Sequence, residues 1–167
     1  MHTLDALDAS ILLERDATPE ATVLEIARRL QISRNTVHSR LRRLRESGAL
    51  GAPSSALLAQ HIARPLVAFV TVSVAQQHID GTVAALRAIP EVLEAHTITG
   101  DADMMLRVAA ADTADLHRIT QRIQLAPGVR RSSTSIATTE VVARRVVPLL
   151  ERLRDQTTDR APKPPSH

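Results

Sequence analysis

The chain has no cysteine, no tryptophan and no tyrosine, and Phe69 is its only phenylalanine. Without thiols there are no disulfides, no cysteine-ligated zinc and no thiol catalysis. Without aromatic platforms, single-stranded nucleic acid cannot be held by base stacking, and an RNA-recognition sheet lacks its stacking residues. Glycine is also scarce, five in 167 residues, and no Gly-rich phosphate loop or nucleophile elbow is present. His38, His61, His78, His96 and His117 show no metal-ligand spacing. Asp101 and Asp103 fall on one side of a strand, as acid–base carboxylates can, but no histidine stands beside them in sequence. No enzyme, no cofactor and no metal site is therefore expected. No stretch approaches the ~20 apolar residues of a membrane span. The first eight residues, Met-His-Thr-Leu-Asp-Ala-Leu-Asp, lack the cationic start and apolar run of a signal peptide, so a cytoplasmic protein is expected.

What is present is aliphatic and unevenly charged. Hydrophobic residues make up 44% of the chain, enough for packed cores. The net charge is only +3, but residues 34–45 carry five arginines and no acid. The carboxy-terminal residues 141–167 are also basic, while residues 63–140 are close to neutral. A cationic helix on a neutral body suits a DNA-binding head better than a uniformly basic coat.

Periodicity divides the chain at 1–50, 51–65, 66–150 and 151–167. Leu4, Leu7, Ile11 and Leu12 predict a helix from about Leu4 to Glu14. Thr18-Pro19-Glu20 reads as the next helix start, and Val23, Ile26, Ala27 and Leu30 as its stripe. Gln31-Ile32 is a turn. Ser33 is an N-cap and Gly48 a stop for a third helix, with a short wing expected after it. Residues 51–65 read as a linker. Leu66–Val74 is a strand apolar on both faces, which predicts cover on both. A helix over 79–89, strands over 91–99 and 103–109, a helix capped by Asp112 and Asp115, and a strand over 129–138 complete a β-α-β-β-α-β order. That is the ferredoxin-like pattern, an α+β class. Residues 151–167 are polar and Pro-rich and are expected to be disordered.

On the third helix Val37, Leu41 and Leu44 share a narrow arc that must face the other helices. Asn35, Ser39, Arg42 and Glu46 lie opposite, with His38 and Arg43 at the edges. A recognition helix reaches base edges with its early residues. Arg34, Asn35, His38, Ser39 and Arg42 are therefore the expected base-reading set, with arginine suited to guanine and asparagine to adenine. Ser33, as cap, and Thr36 and Arg43, near phosphate, complete the expected DNA surface. Arg40 lies beside the apolar stripe, where an internal ion pair competes with DNA contact. The competing reading is an ordinary solvated helix, because charge runs alone are weak signals. The preceding helix, the tight break and the serine cap favour the helix-turn-helix.

Leu4-Asp5-Ala6-Leu7-Asp8, the Ser-x-x-x-Val-x-x-Arg-Leu-x-x-Leu-x-x-x-Gly run from Ser33 to Gly48, and Gly100-Asp101-Ala102-Asp103 in the expected hairpin together resemble the Lrp/AsnC family of prokaryotic transcription regulators. The resemblance spans about residues 4–150. It implies a winged helix-turn-helix head and a ferredoxin-like effector-sensing body that pairs through its sheet, with dimers assembling further into octamers. It implies double-stranded, nucleoid DNA as partner and an amino acid or similar small molecule as effector. The effector site carried over from the family comprises Thr97, Thr99, Gly100, Asp101, Asp103 and Met104. Ala102 and Met104-Met105 stand where many members carry aromatics. Gly-Asp is also a common hairpin turn in its own right, and methionine a common core filler. The alternative function is an effector-binding or oligomerisation module whose helical head contacts protein rather than DNA.

Overall fold

The computed structural model describes residues 3–52, 54 and 57–158. Their elements are α1 (Ala6–Ala17), α2 (Val23–Arg29), α3 (Arg34–Glu46), β1 (Leu66–Val74), α4 (Ile79–Arg87), β2 (Val92–Thr97), β3 (Met104–Ala110), α5 (Thr113–Gln124), β4 (Val129–Ile136) and α6 (Val147–Thr158). They fall into two units, one holding α1–α3 with the residues from 142 onward, the other residues 56–141.

In the first unit each helix starts where a side chain can satisfy its free amides. Asp5 accepts from the Asp8 amide at 2.8 Å while Asp8 accepts from the Asp5 amide at 3.2 Å, a reciprocal capping box. Thr22 and Glu25 form a second such box. This moves the α2 start from the expected Thr18 to Thr22. The Thr18 hydroxyl is instead taken by Arg29, at 2.9 Å. Ser33 caps α3 as expected, accepting from the Thr36 amide at 3.0 Å. The turn before it uses Gln31 at φ 54°. Ile11, Ile26, Ala27, Val37 and Leu41 form the shared core, and Leu44 is fully buried. After α3 the chain turns at Gly48 (φ 74°), and the Leu50 amide donates to the Leu44 carbonyl. The expected wing is thus a turn: among the described residues no strand occurs in this unit.

The expectation of disorder from 151 fails over 151–158, which are helical in α6. By sequence alone Pro148 reads as an interruption of the apolar stretch before 151. It occupies the first turn, where a proline needs no amide partner and its fixed φ suits the helix. α6 packs along α1 and buries Leu150. α6 therefore groups with the head, and the sheet domain, expected to run to 150, ends at 141; its last strand ends at Ile136, against the expected 138. Residues 159–167 lie outside the described set.

The second unit is a four-stranded antiparallel sheet in the order β2-β3-β1-β4, as the β-α-β-β-α-β pattern requires. Ala68, Val70 and Val72 pair with Val108, Leu106 and Met104 and face α4 and α5, forming one core with Leu86, Leu116, Ile119 and Ile123. The expected linker 51–65 contains a 3₁₀ turn at Ala59–Ile62. Glu91, at the turn into β2, draws Arg64, Arg118 and Arg122 around a nearly buried carboxylate. Asp115 joins through Arg64 and Arg118, tying α5 to the segment before β1. Hydrogen bonding from Arg118 outweighs burial and holds Glu91 below the usual carboxylate range. The Ala111 amide, with Arg118 and Arg64, lowers Asp115 to about 2.

Candidate nucleic-acid interface and effector pocket

The buried stripe of α3 is the one the spacing requires: Val37 and Leu44 are fully buried and Leu41 nearly so. Ser33, Arg34, Asn35, His38, Ser39, Arg42 and Arg43 are exposed, and Thr36 is half-buried with its hydroxyl 2.8 Å from that of Ser33. Ser39 returns a hydrogen bond to the Thr36 carbonyl, so its hydroxyl is oriented along the helix. Arg42 lies 3.9 Å from Glu46, an exposed pair that holds the guanidinium only weakly.

Two arginines of α3 turn away from this surface. Arg40 pairs with Asp5 and, at 3.1 Å, with Asp8. Arg43 Nη2 reaches both oxygens of Asp8, at 3.1 and 3.0 Å. The ambiguity at Arg40 is thus resolved towards the internal ion pair. Arg43, expected at phosphate, has its guanidinium engaged by a fully buried carboxylate. Partial burial is outweighed by the Arg40 hydrogen bond and two backbone amides, and Asp5 is held below the usual carboxylate range. The Leu-Asp-x-x-Asp run therefore caps α1 and anchors the inner flank of α3. The outer face keeps Arg34, Asn35, His38, Ser39 and Arg42 together. Arg45 is exposed on the flank of Arg34, eleven positions or about three turns on.

The expected effector residues divide. Gly100 (φ 118°) makes the β2–β3 turn, where a left-handed backbone requires glycine. The Asp103 amide donates to the Val72 carbonyl, its carbonyl accepts from Ile98, and its carboxylate accepts from the Val74 amide at 2.7 Å. Asp103 thus stitches the hairpin to the end of β1. The Asp101 side chain is exposed, and its carbonyl lies 3.5 Å from the Ser73 hydroxyl. Thr99 is exposed at the tip. Thr97 and Met104 instead line a cavity of about 290 Å³ between α4 and β2, together with Val83, Leu86, Arg87 and Val92. Sequence reasoning missed the α4 wall, since nothing in a single sequence shows which helix covers which strand.

No helix among the described residues is long and apolar enough to cross a membrane. No group of histidines and carboxylates there could hold a metal ion.

Residues 4–50 match the pattern of a winged helix-turn-helix DNA-binding domain, and residues 67–147 that of the Lrp/AsnC ligand binding domain. The transcriptional regulator LrpA of Mycobacterium tuberculosis is 31% identical over 148 residues, covering 88% of this chain and 99% of the relative. A transcriptional regulator of Neisseria meningitidis, solved as its L-methionine complex, superposes with a TM-score of 0.73 at 26% identity, covering 84% of this chain and 94% of that one. A feast or famine regulatory protein of M. tuberculosis complexed with L-methionine superposes at 0.75 and 28% identity, covering 86% and 97%. Helix-turn-helix head, four-stranded α+β body and these likenesses together show that the chain belongs to the Lrp/AsnC family of transcription regulators.

Proposed function

We propose that the chain binds specific double-stranded DNA through the outer face of α3 and that an amino acid bound to the sheet domain modulates this binding. The observation that carries the reading is the sorting of α3. Asp5 and Asp8 draw Arg40 and Arg43 to the inner flank, while Arg34, Asn35, His38, Ser39 and Arg42 face outward from a helix whose opposite side is locked in the core. Arginine and asparagine on such a helix match the guanine and adenine edges of the major groove. The effector class follows from the two relatives solved with L-methionine. The protein acts in the cytoplasm, on nucleoid DNA.

The working form is a dimer joined through the sheets, open to further assembly into an octamer. β1 turns Val67 and Phe69 to the face opposite α4 and α5, and Phe69 is 40% exposed there. A second copy gives that face the cover its apolar residues call for. A gel shift on the DNA upstream of the chain's own reading frame, with and without a panel of amino acids, tests the reading. Preferential retardation that responds to one of them is the expected result. Absence of any preferred fragment under every condition overturns it.

A further inference from the structure

We infer that the cavity between α4 and β2 is an α-amino-acid site, with Arg87 as its carboxylate anchor and an apolar side chain as its selected feature. The inference deepens the effector reading above and rests on it. It moves the ligand from the hairpin tip into the groove beside it.

Three observations converge. The first is size and lining. The cavity is about 290 Å³, room for one small ligand rather than a peptide, and Val83, Leu86, Val92 and Met104 give it apolar walls. The second is charge. In this unit Arg64, Arg107, Arg118 and Arg122 each engage a carboxylate. Arg87 and, on β4, Arg130 and Arg131 make no ion pair among the described residues, and of these three only Arg87, exposed at the end of α4, lines the cavity; Glu94, which lines it too, is engaged by Arg107. A guanidinium beside an apolar slot offers a planar fork for a carboxylate. The third is backbone. β2 is the edge strand, so alternate residues turn their amides and carbonyls away from β3. Ala95 and Thr97 pair with Leu106 and Met104 and therefore face the helix side, yet both are exposed. The helix layer leaves this end of the sheet uncovered. A bound amino acid would set its carboxylate on Arg87, its ammonium on the β2 edge and the Thr97 hydroxyl, and its side chain between Leu86 and Met104. Asp103 spends one carboxylate oxygen on the Val74 amide.

Calorimetric titration of the full chain with L-alanine, L-valine, L-leucine, L-isoleucine and L-methionine, each beside its carboxamide, tests the assignment. At least one of the free acids should bind, and its carboxamide should bind at least about tenfold more weakly, the loss expected for an arginine–carboxylate pair. Arg87→Met, which keeps the aliphatic stem, and Ala95→Phe, which fills the groove, should each weaken the free acid at least about tenfold. Both should retain wild-type melting and DNA retardation, which separates lost binding from lost folding. Arg130→Met, the same change on β4, should alter neither. If a free acid binds Arg87→Met and Ala95→Phe as tightly as wild type, the pocket is wrong while the effector reading stands. The same holds if only charged or polar amino acids act. If no amino acid of any class affects binding heat, melting or DNA retardation, the effector reading fails with it.

Discussion

Arg43 Nη2 donates to both carboxylate oxygens of Asp8, and the Asp8 side chain is fully buried. A carboxylate in that position is tolerable only with partners, because stranding a buried charge is more costly than removing it. The two ways of breaking the cluster should therefore differ. Asp8→Ala leaves Arg40 paired with Asp5 and leaves Arg43, 44% exposed, able to return to water. It should cost about 1–3 kcal/mol. Arg40→Met with Arg43→Met takes both guanidiniums from a buried carboxylate and should cost about 3–5 kcal/mol. Denaturant unfolding of the full chain, followed by a probe on the head, measures both.

The same geometry separates DNA contact from architecture on one helix. Arg34→Ala removes an exposed cation and should weaken binding to all sequences, lowering the salt slope by about one. Asn35→Ala should weaken the preferred sequence by about 1–3 kcal/mol and leave non-specific binding near wild type. Arg43→Ala should show itself first as lost stability, because its guanidinium is committed to Asp8. Fluorescence anisotropy over a salt series, beside thermal melts, distinguishes the three.

Gly128 joins α5 to β4 at φ 82°, and a Cβ built there would lie 2.4 Å from the His78 Cβ. Neither backbone can yield easily, since the Ala75 amide donates to the Gly128 carbonyl at 2.8 Å. Gly128→Ala should destabilise the sheet unit by about 2–4 kcal/mol, the range of a strained backbone together with a core clash. Gly48→Ala, where nothing lies within 4 Å, meets the positive φ alone and should cost less. Paired thermal melts give the comparison.

The Glu91–Asp115 cluster makes the sheet unit sensitive to acid. Both carboxyls titrate lower in the folded chain than in the unfolded one, Asp115 at about 2 against 3.8. Depressed carboxyl values contribute stability above the unfolded value and lose it as pH falls towards the folded one. Melting temperature should therefore fall between about pH 4 and pH 2, and Asp115→Asn should flatten that slope while lowering stability at neutral pH.

How much of this was legible in the sequence depended on range. The α3 stripe and the Ser33 cap were, because both lie within a few residues of one another and follow the helical repeat. The β-α-β-β-α-β order of elements followed from alternation and turn residues. The commitment of Arg43 was not, because Asp8 lies 35 positions away. Asp103 read as a ligand group because its partner, the Val74 amide, is set by the β1–β3 register rather than by local spacing. The α6 misreading came from the polar, Pro-rich composition after 150, together with Pro148, which breaks a helix in its middle but is tolerated in its first turn. The α4 wall of the cavity depends on which helix lies over which strand, a tertiary fact with no local signature.

The most direct test of the central claim is the binding of one upstream duplex and one scrambled duplex to wild type and to Asn35→Ala with Arg42→Ala, by anisotropy across a salt series. The account requires wild type to prefer the upstream duplex, with affinity falling steeply as salt rises. The double variant should bind both duplexes equally, with its melting temperature within a few degrees of wild type. A double variant that keeps the wild-type preference contradicts the assignment of the α3 outer face to the groove.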